Sequence, residues 1–327
     1  MPPSDAPSVS VVMPVFNGAT SITRAIASVL AQDFTDFEII VVNDGSTDGT
    51  RDALHPFGEQ IRLLEQGNAG PAVARNAGIA AARGEYIAFL DADDAWLPAK
   101  LSLLVEALRS DRCAVLAFSD VVPIDAHDRQ VAQAPVPRAL AYAPSMDEML
   151  TRWWPIYPSA VLVKRATVIA FGGFDRGFRR PGYEDPLLWL LARQHGSFVY
   201  VDRPLVLYRY LPEFERMAKY APGLAIFADR VRCHFGAAGD VLIADLRGAH
   251  LNVLSHEGLV AMALGDMRRA RRAFRTVLRC YPGHARSLSR LLRAHLPIVL
   301  ANALSSPRRR KRWAARGPRT IALDVEA

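Results

Sequence analysis

The chain has 327 residues, of which 50% are hydrophobic and 22% charged, so wholesale disorder is excluded and one large α/β domain with an appendage fits the length. Ordinary Gly and Pro usage (21 and 22) excludes collagen-like and linker-like chains, and three scattered cysteines, Cys113, Cys233 and Cys280, exclude a disulfide framework. The net charge of +7 conceals an asymmetry: residues after 261 hold 16 basic and 3 acidic side chains, and the rest is net −6. A basic rear end suits a polyanion, either nucleic acid or anionic lipid. No apolar run reaches the ~18 residues of a membrane span. The N-terminal MPPSDAPSVS lacks the basic and apolar regions of a signal peptide, so the sequence reads as cytoplasmic.

In chain order, Ser8–Met13 is a β-branched run of the kind found in buried parallel strands, broken at Pro14-Val15-Phe16-Asn17-Gly18. Ile22, Ala25, Ile26, Val29 and Leu30 give Thr20–Ala31 a helical period. Phe37–Asn43 is a second buried strand, closed by the turn cluster Asp44–Asp48. A shorter strand over Ile61–Glu65 precedes an Ala-rich helix over Gly70–Ala82. Tyr86–Leu90 and Val115–Phe118 read as strands on either side of a helix over Pro98–Leu108. The alternation predicts a mostly parallel sheet with helices on both faces.

Residues 120–158 carry six prolines and read as loops with a short helix. A strand resumes over Ala160–Lys164, and Gly172–Asp175 is a turn. Asp185 reads as an N-cap with Pro186 at the first helical position of a helix to Gln194, followed by closing strands at Phe198–Val201 and Leu205–Tyr208. From about Glu213 the pattern is helical. The predicted division is therefore an α/β domain over 1–212, a helical region over 213–304 and a basic tail over 305–327.

The densest chemical signal is Gly84–Asp94, an apolar strand ending in Asp91, Asp93 and Asp94. Ligands of open α/β sheets bind at the carboxyl ends of strands, and massed carboxylates there repel one another unless a cation lies between them. Hard oxygen ligands suit Mg²⁺ or Mn²⁺ with a substrate diphosphate. The bland alternative is that these acids only cap the following helix. Asn43-Asp44-Gly45-Ser46 and Pro14-Val15-Phe16-Asn17 end the second and first strands at the same edge, so three polar strand ends converge where a nucleotide would lie. Asp44 would accept from a base N–H, and Arg75 would reach a base or phosphate.

Val9–Asn17, Val41–Asp48, Gly67–Asn76, Gly84–Asp94, Gly172–Asp175 and Glu184-Asp185, in this order, resemble family 2 glycosyltransferases of the GT-A fold over about residues 8–210. The resemblance implies a Rossmann-like α/β sheet, a nucleotide-diphosphate-sugar donor, Mn²⁺ or Mg²⁺, and inversion at the anomeric carbon. It assigns Asp44, Arg75 and Asp91 to donor binding, beside the strand-end residues Pro14, Val15 and Asn17, assigns Asp93 to the metal, and gives the catalytic base as Asp185, with Glu184 next. A helix N-terminus would keep such a carboxylate ionised. Two departures stand out: no His follows Tyr208-Arg209, and processive synthases' Gln-x-x-Arg-Trp signature is missing, which favours single additions.

Trp153, Trp154 and Tyr157 are placed to stack on an acceptor sugar, core packing being the competing reading. Arg268, Arg269, Arg271, Arg272, Arg275 and Arg279, then Arg308–Arg312, flank a leucine stripe. That pattern suits peripheral contact with the inner face of a membrane, bringing the chain to a lipid-linked or other glycan acceptor of the cell surface. Nucleic acid is not expected, because no aromatic-plus-basic module accompanies the charge. Gly258, Gly265, Asp266, Ala270, Phe274 and Pro282 resemble one tetratricopeptide-type helix pair, too little for a solenoid. The rival functions are a sugar-1-phosphate nucleotidyltransferase, disfavoured because the loop after the first strand has no Lys or Arg, and a non-catalytic scaffold.

Overall fold

The computed structural model describes residues 6–131, 142–152, 154–179 and 182–294. Trp153, the 305–327 tail and Arg308–Arg312 lie outside them. The chain divides into two compact units at Ala249/His250.

The first unit is built on eight strands: β1 (Val9–Val15), β2 (Phe37–Asp44), β3 (Arg62–Gln66), β4 (Tyr86–Phe89), β5 (Ala95–Trp96), β6 (Ala114–Ile124), β7 (Val161–Lys164) and β8 (Ser197–Arg209). They form one sheet in the order β3-β2-β1-β4-β7-β6-β8-β5. Helices α1 (Ile22–Leu30), α2 (Thr50–Leu54), α3 (Pro71–Ala81), α4 (Lys100–Ser110), α5 (Met146–Thr151), α6 (Arg165–Ala170), α7 (Glu184–Arg193), α8 (Glu213–Tyr220) and α9 (Gly223–Phe235) connect and flank it. On β1, Val9, Val11, Met13 and Val15 join a core with Ile22, Ile26 and Val29 of α1 and Leu101, Leu104 and Leu108 of α4. Val12 points the other way, where Gly78 of α3 lies so close that a Cβ would sit 2.3 Å from a Val12 methyl. The period of two along the strand thus supplies both helix layers.

Only part of the sheet is parallel. β3, β2, β1 and β4 run parallel, whereas β7 is antiparallel to both β4 and β6, and β5 is antiparallel to β8. β6 and β8 are also longer than the sequence suggests and pair in parallel through register shifts near Asp120. Pro123 does not stop β6, because past Phe118 that strand has lost β7 and β8 is its remaining strand partner, the Pro123 carbonyl accepting from Val131 N at 2.9 Å on the other side. A residue without an N–H is tolerated there.

Asp185 is not the N-cap of α7. Tyr183 occupies that place with φ 71°, after Gly182 at φ 137°, so the chain turns through two left-handed residues and Glu184 opens the helix. The second unit takes in the end of α10 (Asp240–Ala263), then α11 (Met267–Cys280) and α12 (Ala285–Arg293). Ala261, Ala270, Phe274 and Ala294 form its small core, with Gly258 against the Phe274 ring.

Candidate active site at the carboxyl ends of the strands

Because β2, β1 and β4 are parallel neighbours, their carboxyl ends share one edge, and the polar residues that follow them are adjacent in space. Pro14 and Val15 close β1. Asn17, at φ 53°, ties this end to the next loop: its Oδ1 accepts from Thr47 N at 2.8 Å and its N–H donates to Ser46 Oγ at 2.9 Å. Asp44 is buried and already engaged. Its Oδ1 accepts from Gln66 Nε2 (2.7 Å) and Ala69 N (2.9 Å), and its Oδ2 from Gly70 N (2.8 Å). It holds the loop before α3, where Gly70 adopts φ 94° and a Cβ would strike the Arg179 carbonyl at 2.3 Å.

Arg75 joins the two distant acidic groups. From α3 its Nη2 donates to Asp91 Oδ1 at 2.7 Å and its Nη1 to Glu184 Oε1 at 3.0 Å, a partner 109 residues away. The Arg75 and Glu184 side chains are each only 5% exposed. Glu184 Oε2 accepts from Gly182 N at 2.7 Å, which fixes the carboxylate to the turn that starts α7. Burial works against the guanidinium charge, but Asp91 and Glu184 outweigh it and hold Arg75 more firmly protonated than a free arginine. Its Nε is buried without a partner.

The Asp91–Asp94 segment is pinned at several points. Ser159 Oγ accepts from Asp91 N at 3.1 Å and donates to Asp94 Oδ2 at 2.5 Å, while Asp94 Oδ1 accepts from Arg209 N at 2.7 Å. Arg24 Nη2 donates to the Asp93 carbonyl at 2.5 Å, and Asp128 pairs with both Arg24 and Arg209. The fully buried Asp94 is therefore a structural member of the motif, and Trp96 donates its Nε1–H to Ser159 O at 2.8 Å beneath it. Ser159, Arg24 and Asp128 carry no sequence signal. Asp94 stood in the acidic cluster without a distinguishing mark.

Asp93 opens to solvent and forms no ion pair among the described residues. Loss of water around it and the neighbouring Asp91 charge nevertheless raise its pKa, and burial with Asp93 and Asp91 raises Asp94 well above the ordinary range. On the other side, burial and Glu184 push Asp185 well up, with Arg75 opposing. Among the described residues no group of three His, Cys, Asp or Glu is arranged to hold a metal. Asp91 and Asp93 offer hard oxygens to a cation that takes most of its shell from phosphate and water, which fits Mg²⁺ or Mn²⁺.

The aromatic residues separate. Trp154 packs into the core, donates Nε1–H to Glu148 O at 3.1 Å and lies under Arg152, so it is not presented to an acceptor. Tyr157 is half-buried, its ring centroid 4.5 Å from that of Tyr208 with the planes tilted by 37°, and it lies close enough to Asp185 to feel its charge. One prediction concerns the bridge itself. Arg75→Met strands two carboxylates and lowers stability by about 3–5 kcal/mol. Arg75→Lys restores only part, since a point charge does not span both partners. Denaturant unfolding midpoints read both.

The matched relatives agree on a family. The family model for glycosyl transferase family 2 matches residues 10–185, more than half the chain. An uncharacterized glycosyltransferase of Nostoc sp. is 46% identical over 131 residues, 38% of this chain and 40% of its own length. EpsJ of Bacillus subtilis, also an uncharacterized glycosyltransferase, is 27% identical over 92% of this chain and 79% of its own length. TuaG of Bacillus subtilis, named for teichuronic acid biosynthesis, is 41% identical over 36% of this chain and 51% of its own length. The chain thus spans about half or less of several curated relatives it matches. Among solved structures, TarS of S. aureus (residues 1–349) superposes with a TM-score of 0.60 at 17% identity, covering 88% of this chain and 90% of that one. A Pyrobaculum calidifontis mannosyltransferase bound to GDP-Man and Mn²⁺ gives a TM-score of 0.55 at 19% identity, covering 96% of this chain and 84% of that one. With a GT-A-like mixed sheet, polar strand ends at one edge and a family match spanning all of them, the chain belongs to glycosyl transferase family 2.

Proposed function

We propose that the protein is an inverting, metal-dependent glycosyltransferase that adds single sugars from a nucleotide-diphosphate sugar to a hydroxyl of a cell-surface glycan precursor. The observation that carries this reading is the Arg75 bridge, which puts Asp91 of the donor side and Glu184 of the base side on one guanidinium. Asp185, beside Glu184, takes the acceptor hydroxyl proton. The acceptor oxygen bonds to the anomeric carbon from one face while the bond to the β-phosphate oxygen breaks on the other. The electron pair leaves with the diphosphate and the proton stays on Asp185. A divalent cation at Asp91 and Asp93 would neutralise charge on that leaving group. Glu184 orients the base, Pro14, Val15, Asn17 and Asp44 frame the donor pocket, and Tyr157 faces the acceptor. TarS has also been solved in complex with UDP-GlcNAc, and that ligand and the mannosyltransferase's GDP-Man support a nucleotide-sugar donor, while TuaG's name supports an envelope glycan acceptor.

Hydrolysis and transfer measured across a panel of nucleotide sugars, with Mn²⁺, Mg²⁺ or chelator, test the reading. Asp93→Ala is expected to abolish metal-dependent turnover. Asp185→Asn is expected to cut kcat by ~10²–10⁴-fold while sparing donor binding. Because the folded protein raises the Asp185 pKa above its ordinary 3.8, the ionised base appears only as pH climbs past that value. The acidic limb of kcat/KM therefore lies above pH 3.8 in the wild type. Full activity of either variant contradicts the assignment.

Peripheral membrane contact is part of the same proposal. No helix among the described residues is long and apolar enough to cross a membrane. In the second unit α11 buries Ala270, Ala273, Phe274 and Val277 and turns Arg268, Arg272 and Arg279 outward, while α12 exposes Leu288 (50%) and Leu292 (63%). An arginine-rich surface with exposed leucines suits anionic lipid. The protein is expected to float with phosphatidylglycerol vesicles and to lose most of that binding in Leu288→Asp/Leu292→Asp. Equal recovery of both in the soluble fraction contradicts it.

A further inference from the structure

Two guanidiniums reach the Asp91–Asp94 segment from outside it. Arg24, in the first turn of α1, donates from Nη2 to the Asp93 carbonyl at 2.5 Å. Arg209, the last residue of β8, donates its backbone N–H to Asp94 Oδ1 at 2.7 Å. A guanidinium beside a solvent-facing carboxylate is drawn to it. The Asp93 carboxylate nevertheless forms no ion pair among the described residues. Both arginines are taken by Asp128 instead. Its Oδ1 accepts from Arg24 Nη1 at 2.6 Å and from Arg209 Nη2 at 2.5 Å, so one oxygen holds two cations that would otherwise repel each other.

The chain builds this placement. β6 and β8 pair as far as Ile124 and Arg209, so the turn that leaves β6 emerges beside Arg209. Asp125 shapes the turn. Its Oδ1 accepts from His127 N at 2.8 Å and from Arg129 N at 3.0 Å, and its carbonyl accepts from Asp128 N at 3.0 Å and from Arg209 Nη1. A bridge between Ile124 and Gln130 closes the hairpin. Asp128 stands within it at φ 62°, a left-handed conformation that Asp tolerates better than most residues. The Asp128 side chain is 50% exposed, so it fills no core, and an exposed ion pair adds little to stability. What it does is fix where the Arg24 guanidinium points. Arg209 has its second tie at the Asp125 carbonyl, so Arg24 is the arginine that loss of Asp128 sets free.

We propose that Asp128 is a positioning residue of the metal side: it holds Arg24 off the Asp93 carboxylate and so keeps that carboxylate open to a divalent cation. This rests on the assignment of Asp93 above. Arg24 is already on the Asp93 carbonyl and needs only to turn its side chain to reach the carboxylate of the same residue. An arginine seated there competes with the cation for the same oxygens. Arg209, anchored at the end of β8, holds Asp128 in turn.

The test is Mn²⁺ binding to the full chain, read by water-proton relaxation with and without uridine or guanosine diphosphate. Asp128→Asn removes the charge and keeps a side chain suited to the left-handed turn. It is expected to weaken Mn²⁺ binding about 3- to 10-fold, with a melting temperature within about 2 °C of the wild type. Adding Arg24→Gln to Asp128→Asn is expected to return the affinity to within about twofold of the wild type, because the competitor is gone; a hairpin that only braced the fold is not rescued by a second loss. Unchanged Mn²⁺ affinity in Asp128→Asn, or a double variant weaker still, overturns the role of Asp128 and leaves Asp93 as the metal ligand. A wild type that binds no Mn²⁺ under either condition overturns the metal assignment and this role together.

Discussion

A guanidinium buried between two carboxylates is stable only while both partners remain ionised and in register, because losing either leaves a charge without water or partner. Arg75 is in that position, and the organisation of the site follows from it. α3 must lie close enough to the sheet to deliver the side chain, which its Ala and Gly residues allow. The turn before α7 must present Glu184 at the right height, which the left-handed Gly182 and Tyr183 achieve. Asp91 must stand at the end of β4, where Ser159 fixes its backbone. Three separate pieces of chain are thereby held in one geometry.

The same arrangement leaves negative charge in excess. Asp91, Glu184 and Asp185 all act on one buried cation, and burial first, then the neighbouring carboxylates, raises the pKa values of Asp93, Asp94 and Asp185. The roles divide by environment. Asp94 is buried and hydrogen-bonded and shapes the motif, Asp93 faces solvent, and Asp185 sits half-buried beside Glu184. The proposed cation and phosphorylated donor are what such an excess of carboxylate would accommodate.

Much of this was legible in the sequence because buried parallel strands announce themselves as apolar, β-branched runs. β1, β2 and β4 fall where those runs stand, and so do the acids at their ends. Strand direction is not encoded in such a run, so the antiparallel β7 was invisible, and prolines hid the full length of β6 and β8. Side-chain type likewise does not reveal a partner. Asp44 reads as a free acceptor in sequence, yet three of its contacts are spent on the 66–70 loop. Trp154 reads as a sugar platform and lies in the core, and Ser159 and Asp128 have significance only through what they touch in space.

The claim that two acidic groups, far apart in sequence, are one electrostatic unit is tested most directly by a double-mutant cycle on Arg75→Met and Glu184→Gln, read in unfolding free energy. The account predicts a coupling energy of about 1–3 kcal/mol, with the double variant less damaged than the two single effects added together. Additivity within about 0.3–0.5 kcal/mol, the behaviour of independent sites, would contradict it.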